Sequence, residues 1–327
     1  MSSISYNRIV GVGSCIPSDS VSNQELVSRL AKLGVETSNE WITERTGIRQ
    51  RFYVTQNETT TSLATQSSLK ALKKANKQAQ DIDLIIVATS TPDQIFPSVA
   101  CMVQSELGAH QAVAFDIQAV CAGFVYALSV ADSLLKTGQY RCALVIGSEC
   151  FSRIMDWQDR STCVLFGDGA GAVVLEAGHS TGILTTALAA DGTQSKTLET
   201  PGRIESGKVV GSPFLRMDGQ SVFKFAVSSL AKIAEQTLQK SQLNTTDIDW
   251  VVPHQANIRI MQSLAKKLCL DESKMVSTVA QFANTSAASI PMALDMAVTN
   301  QQIQPNQLLL FLGIGGGFTW GSALLRF

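Results

Sequence analysis

Several signals are missing from this 327-residue sequence. No stretch reaches the roughly 18 uninterrupted apolar residues that read as a membrane span, so no membrane insertion is expected. The opening residues, MSSISYNRIVGVGS, carry no basic segment followed by a long apolar one, so no secretory leader is expected either. Charge of one sign is also lacking. The 26 Lys and Arg offset 27 Asp and Glu to a net charge of −1, which argues against nucleic acid or an anionic membrane as a partner held by global charge. The seven cysteines (Cys15, Cys101, Cys121, Cys142, Cys150, Cys163 and Cys269) are odd in number and form no CxxC pair. This spacing argues against a disulfide framework and a zinc site, and points to a reducing compartment, the cytoplasm. Histidine is scarce, with only His110, His179 and His254.

Hydrophobic residues make up 45% and charged residues 16%, a balance that suits a globular core rather than a disordered chain. The length suggests two domain-sized units. The chain also echoes itself. Residues 67–90, SSLKALKKANKQAQDIDLIIVATS, and residues 228–255, SSLAKIAEQTLQKSQLNTTDIDWVVPHQ, each read as an amphipathic helix, an Asp-Ile-Asp triplet and a buried strand ending in a polar turn. FGDGAGAVVLE (166–176) and GGGFTWGSALLRF (315–327) each read as a glycine-rich turn running into an apolar strand. The apolar runs Leu84–Val87, Ala143–Ile146 and Leu308–Leu312 look like strands buried on both faces. These features predict an α/β protein of two pseudo-symmetric halves, residues 1–178 and 179–327, tightly packed with an active site at their junction.

Cys121 is set between a predicted strand, AVAFDI, and a predicted helix, AGFVYALSVADSLLK. A cysteine on such a tight strand-to-helix turn meets unpaired N–H groups and the helix dipole, which favour a thiolate, and Gly123 permits close backbone approach. The other cysteines lack that context and read as small buried hydrophobes. His254, in VVPHQANIRI, is a polar break between a strand and a helix in the opposite half. Asn284 opens NTSAAS, where its amide donates hydrogen bonds without changing charge, while Thr285 and Ser286 equally suit helix capping. Gly11-Val12-Gly13 follows a strand without a third glycine, and Pro17 interrupts any helix, so it is no dinucleotide fingerprint. Gly167–Ala172 leads into a strand rather than a helix, unlike a phosphate loop. Gly315–Gly317 would let a main-chain N–H approach a reacting carbonyl, or simply form a tight turn.

Six strings in order, WITERTGIR (41–49), AVCAGF (119–124), FGDGAGA (166–172), PHQANIRI (253–260), NTSAAS (284–289) and GGGFTWGSALLRF (315–327), resemble β-ketoacyl-acyl-carrier-protein synthase III over nearly the whole chain. The resemblance implies a thiolase-like fold of two pseudo-symmetric halves in αβαβα layers. It also implies a decarboxylative Claisen condensation of a short acyl-CoA, by family default acetyl-CoA, with malonyl-acyl-carrier protein, initiating type II fatty acid synthesis. Cys121 then looks like the acyl acceptor, His254 and Asn284 like the donors to the malonyl thioester carbonyl, and the N–H groups of Cys121 and Gly316 like the oxyanion hole. Trp41 and Arg160 look like an adenine sandwich, Arg45 like a phosphate contact and Thr37 like a further CoA contact. Lys224, Arg259, Lys266 and Lys267 resemble a carrier-docking patch, and Phe96 a residue reaching the acyl tunnel of the partner in a homodimer. No metal or bound cofactor is implied, CoA thioester and malonyl-carrier being substrates. Ala283 stands where the family commonly has glycine, and Gln220 where some members have Asn. A specialised synthase of secondary metabolism, a Cys-His-Asn hydrolase and a non-catalytic partner subunit are the alternatives.

Overall fold

The two Asp-Ile-Asp triplets make the same junction twice. The computed structural model describes residues 5–327; the first four residues of the segment read for a leader lie outside it. Its first half runs β1 (Tyr6–Cys15), α1 (Thr60–Ala75), β2 (Leu84–Ala88), α2 (Val99–Leu107), β3 (Val113–Ile117), α3 (Gly123–Lys136), β4 (Cys142–Glu149) and β5 (Gly169–His179). The second runs β6 (Ile183–Ala190), α4 (Gly219–Lys240), β7 (Trp250–Pro253), α5 (Ile258–Lys267), α6 (Ser289–Thr299), β8 (Leu308–Gly315) and β9 (Thr319–Arg326). After α1, Asp81 accepts the Gln78 N–H at 2.7 Å, and after α4, Asp247 accepts the Asn244 N–H at 2.7 Å. Two residues on, the Asp83 carboxylate accepts the Cys142 N–H at 3.2 Å, and Asp249 accepts the Leu308 N–H at 2.7 Å. Each second aspartate thereby ties the start of an edgeward strand to the central strand beside it, while Ile82 and Ile248 are buried between.

The sheets follow the same plan. In the first half the order is β1-β5-β4-β2-β3, with β4-β2-β3 parallel and β5 and β1 antiparallel. In the second it is β6-β9-β8-β7, with β8-β7 parallel and β9 and β6 antiparallel. The place of β3 is taken there by a single parallel bridge, Val251 to Met275. The chain passes from one sheet to the other between His179 and Ile183. All eight residues of β4 and all eight of β8 are buried, which explains the apolar runs Ala143–Ile146 and Leu308–Leu312 within them.

Five layers result. α1 and α2 cover the outer face of the first sheet through Ala64, Ala71, Leu72, Val99 and Val103. α4 and α5 cover the second through Leu230, Ala234, Ile260 and Leu264. α3 and α6 lie between the sheets, where Phe124, Leu128, Ile290 and Leu294 share one core with both. A helix in that position is apolar nearly all round, as the two sequences are. β1 continues through Gly11 and Gly13, beneath the α1 backbone at Ala71, so these glycines serve helix–strand contact inside the strand rather than a loop after it.

α3 and α6 both begin from a 3₁₀ turn, Val120–Ala122 and Ser286–Ala288, with no side-chain cap. Val120 (φ 47°) and Ser286 (φ 50°) take the left-handed conformation at matching positions. Each elbow lies over the other half's central strand: a Cβ on Gly147 of β4 would stand 2.3 Å from the Ala287 carbonyl oxygen, and one on Gly313 of β8 would stand 3.2 Å from Ala122 Cα. Gly147→Ala is therefore expected to lower stability by ~2 kcal/mol, as overpacking does. An unchanged urea midpoint would show that the elbow does not press on β4.

Candidate active site

The crossing of the elbows brings residues from both halves to one cavity of about 540 Å³. Cys121, His254 and Asn284, all buried, line it together with Gly315, Ile314 and Phe318, and it reaches half-buried Trp41 and exposed Arg45 and Arg259. The trio follows β3, β7 and the Met275 bridge, at the carboxyl ends of parallel strands, where α/β sheets commonly place ligands.

Cys121 heads α3 in the first elbow. Its position was expected to favour a thiolate. Burial instead pushes the thiol up to about 12, Ser286 pulls it back down, and the charge of Glu149 pushes it up. Desolvation outweighs the helix start, so the resting group is a thiol at neutral pH.

His254 directly follows the strand β7, its N–H bonded to Leu312 O at 2.7 Å. Nδ1 lies 2.7 Å from Ser289 Oγ. That oxygen also accepts the Gln255 N–H at 3.3 Å, so Ser289 holds the imidazole by Nδ1 and leaves Nε2 facing away from it. Burial pushes His254 down to about 3, so it is neutral at physiological pH.

Asn284 is held by main chain on both sides: its N–H bonds Leu165 O and its carbonyl accepts the Gly167 N–H, each at 3.0 Å. Oδ1 accepts the Ser286 N–H at 2.9 Å, which leaves the NH₂ as a donor. Gly167, read at first only as unlike a phosphate loop, is thus the residue that anchors the asparagine. Ala283 adopts φ 56°, ψ −156°, the glycine-favoured conformation, so the departure from glycine does not displace Asn284. Neither Thr285 nor Ser286 caps α6; the Ser286 hydroxyl is donated to Glu149 at 3.0 Å.

Gly315 lies against the Cys121 amide, a Cβ there falling 2.6 Å from Cys121 N. Gly316 itself meets Leu198 O. Among the expected CoA contacts, Trp41 and Arg45 line the cavity, whereas Thr37 and Arg160 do not. The Arg160 guanidinium stacks 4.6 Å from the Trp41 ring centroid, and Arg45 lies at 5.4 Å. A base between Trp41 and Arg160 needs two van der Waals gaps, about 7 Å. The sandwich is closed in this structure, and Arg160, which also donates to Glu36 O at 3.0 Å, has to swing aside to admit a ring. The Thr37 hydroxyl is buried without a partner among the described residues. Arg259, Lys266 and Lys267 are exposed on α5 and Lys224 on α4. Phe96 is 81% exposed and outside the cavity wall. Sequence reading missed Ser289, Glu149 and Leu198; only contacts across 35 residues or more connect the first two to the site.

This fold and site define a thiolase-type condensing enzyme, an acyltransferase. Residues 115–192 match the family model of 3-oxoacyl-[acyl-carrier-protein (ACP)] synthase III, and residues 238–327 match the model of that family's C-terminal part. The chain is 42% identical to the synthase III of Aquifex aeolicus, covering 98% of this chain and 100% of that one, with a TM-score of 0.92. It is 37% identical to the Pseudomonas aeruginosa synthase III, covering 98% of each, with a TM-score of 0.91. A priming β-ketosynthase of a polyketide pathway is similar at 35% identity and a TM-score of 0.91, over 98% of this chain and 96% of that one. The protein belongs to the 3-oxoacyl-[acyl-carrier-protein] synthase III family.

The buried histidine carries a pH signature. Its folded value, about 3, lies below the ordinary 6.5, so between those values the unfolded chain binds the extra proton and stability falls as pH drops. The full effect is of order 4–5 kcal/mol. His254→Asn should flatten the acid limb of a denaturation-against-pH series below about pH 6; an unchanged limb would mean that His254 is free to protonate in the folded protein.

Proposed function

We propose that the protein condenses a short acyl-CoA, acetyl-CoA by first expectation, with malonyl-acyl-carrier protein, and so initiates fatty acid synthesis. The supporting observation is the convergence of Cys121, His254 and Asn284 on one cavity, with Gly315 packed against the Cys121 amide. Cys121 sulfur attacks the acyl-CoA carbonyl, the oxyanion is held by the N–H groups of Cys121 and Gly316, and the C–S bond to CoA breaks, leaving acyl-Cys121. Malonyl-carrier then takes the site. Its carboxylate leaves as carbon dioxide while His254 Nε2–H and the Asn284 amide donate to the thioester oxygen of the forming enolate. The enolate carbon attacks the acyl group and Cys121 is released.

A neutral imidazole suits this role. It donates a hydrogen bond without the acidity to protonate the enolate carbon, which is kept for the new C–C bond. The same property disfavours a Cys-His-Asn hydrolase, whose histidine must accept the thiol proton: a group held near 3 is a poor base at neutral pH. Each step uses side chains and backbone of this chain, so no bound cofactor is invoked. The second reading, a specialised priming synthase with another starter, draws on the likeness to the polyketide priming enzyme. We place the reaction in the cytoplasm, where the thiol it needs stays reduced.

Trp41 and Arg45 at the open end suit the CoA nucleotide, with Thr37 and Arg160 behind them completing the site when Arg160 moves. Exposed Arg259, Lys266 and Lys267 on α5 and Lys224 on α4 suit an acidic carrier. Ile95 and Phe96, 75% and 81% exposed, are large apolar residues side by side, and they support a homodimer in which this loop is covered and approaches the acyl pocket.

Intact-protein mass spectrometry after incubation with acyl-CoAs and then malonyl-carrier tests the reaction. The expected outcome is an acyl adduct on Cys121, absent in Cys121→Ser, that discharges as β-ketoacyl-carrier. Discharge as free acid alone would establish a hydrolase, and an adduct inert to malonyl-carrier would favour another acceptor. Arg259→Glu should raise the KM for malonyl-carrier about tenfold, as loss of a charged contact does, and spare acylation. Equal losses in both half-reactions would remove Arg259 from the docking surface.

A further inference from the structure

Asn284 lines the cavity with a carboxamide whose two ends differ in chemistry but hardly in shape. With its NH₂ toward the substrate it donates to a thioester oxygen; flipped about its last bond it would present a carbonyl that repels that oxygen. The main-chain bonds to Leu165 O and from Gly167 N–H fix where the residue sits, not which way the amide faces. The side chain has one hydrogen bond among the described residues: Oδ1 accepts the Ser286 N–H at 2.9 Å. A flipped amide would set a second donor against that donor and leave both unpaired.

The aim of this N–H depends on Ser286, which holds φ 50°. A residue with a Cβ keeps such a left-handed conformation only where its surroundings enforce it. The Ser286 hydroxyl is tied down, donating to Glu149 Oε1 at 3.0 Å. Glu149 ends β4, the strand beneath this elbow, wholly buried and with no basic side chain of the described residues paired to it. Its other oxygen is held from the far side. Oε2 accepts from Thr91 Oγ1 at 2.6 Å, Ser90 N–H at 3.1 Å and Thr89 Oγ1 at 3.3 Å, and Thr91 Oγ1 is fixed in turn by the Cys150 N–H at 2.8 Å. A buried carboxyl group is costly and persists only with such a set of donors. The turn by itself does not call for this tie: Val120, at the matching place in the other elbow, takes φ 47° with an apolar side chain.

We propose that Glu149 is a positioning residue for the condensation half of the reaction: through Ser286 it holds the Asn284 amide with its NH₂ toward the cavity. Each link is a hydrogen bond, from the turn after β2 to Glu149, across the junction of the halves to Ser286, and on to Asn284. This role rests on the reading of Asn284 as a donor to the malonyl thioester oxygen. Acylation of Cys121 does not use that donor, so the tie serves one half-reaction more than the other.

Two substitutions at one position test this, with malonyl-carrier decarboxylation and single-turnover release of CoA from acetyl-CoA followed in each. Ser286→Ala removes the tie and keeps the cost of the positive φ, whereas Ser286→Gly removes both. Decarboxylation should fall on the order of 10-fold in Ser286→Ala, part of the ~100-fold that loss of a whole oxyanion donor costs. In Ser286→Gly it should fall less than about threefold, since glycine takes the turn freely. CoA release should fall less than decarboxylation in Ser286→Ala. A hydroxyl that only fills space would make the smaller glycine the worse replacement. Equal rates in the two variants, the reverse order, or equal loss in both half-reactions would overturn the role. Glu149→Gln, which cannot accept from both sides, should also slow decarboxylation, and should add nothing in the Ser286→Gly background. A further loss there would show that Glu149 does not act through Ser286. Either pair of variants decides alone if the other fails to fold. Should the unaltered protein not decarboxylate malonyl-carrier, the catalytic reading of Asn284 fails. The nitrogen NMR signal of the Asn284 carboxamide, identified by its loss in Asn284→Ala, then still judges the tie. A signal displaced in Ser286→Ala and kept in Ser286→Gly supports it, and any other pattern overturns it.

Discussion

The exchange of elbows between the halves is the contact on which everything else here depends. Each half builds a tight strand-to-helix turn and lays it across the central strand of the other, over Gly147 and over Gly313. The crossing buries α3 and α6 between the sheets, which supplies the core that neither half has alone. It also brings Cys121 from one elbow into one cavity with Asn284 from the other. Function and stability share one contact, because the glycines that let the backbones approach also set the distance between the reacting groups.

Burial is the second theme. The trio sits where charge is disfavoured, and the ionisable groups respond in opposite senses: the Cys121 thiol is pushed up and His254 down, both toward neutrality. A neutral site suits chemistry in which negative charge develops briefly on thioester oxygens, since aligned donors act more strongly there than in water. It also raises the question of how the thiol is activated, to which a helix terminus alone is a weak answer.

At the open end the stacking of Arg160 and Arg45 on Trp41 shows that the aromatic face is kept covered by cations. Cation–π contact lowers the exposure of the ring, and a bound base would replace one planar partner with another. The basic residues of α5 lie outside this gate, so charge that guides a carrier is separate from the surface that receives the nucleotide.

Much of this was legible in the residues. The α/β alternation, the repeat with its Asp-Ile-Asp junctions, the strand-to-helix turn at Cys121 and the polar breaks at His254 and Asn284 all follow from periodicity and local chemistry, which act over a few residues. What they could not show is which side chains meet. Whether Cys121 is thiol or thiolate depends on burial by the other half. The imidazole tautomer depends on Ser289, 35 residues away, and the fate of the Ser286 hydroxyl depends on Glu149, 137 residues away. The residue types of NTSAAS suggested caps because capping is local, whereas their actual partners lie across a junction made only on folding. Local sequence determined the elements and the candidate groups; packing of one half on the other decided their protonation and partners, because desolvation and hydrogen bonding are properties of the assembled interior.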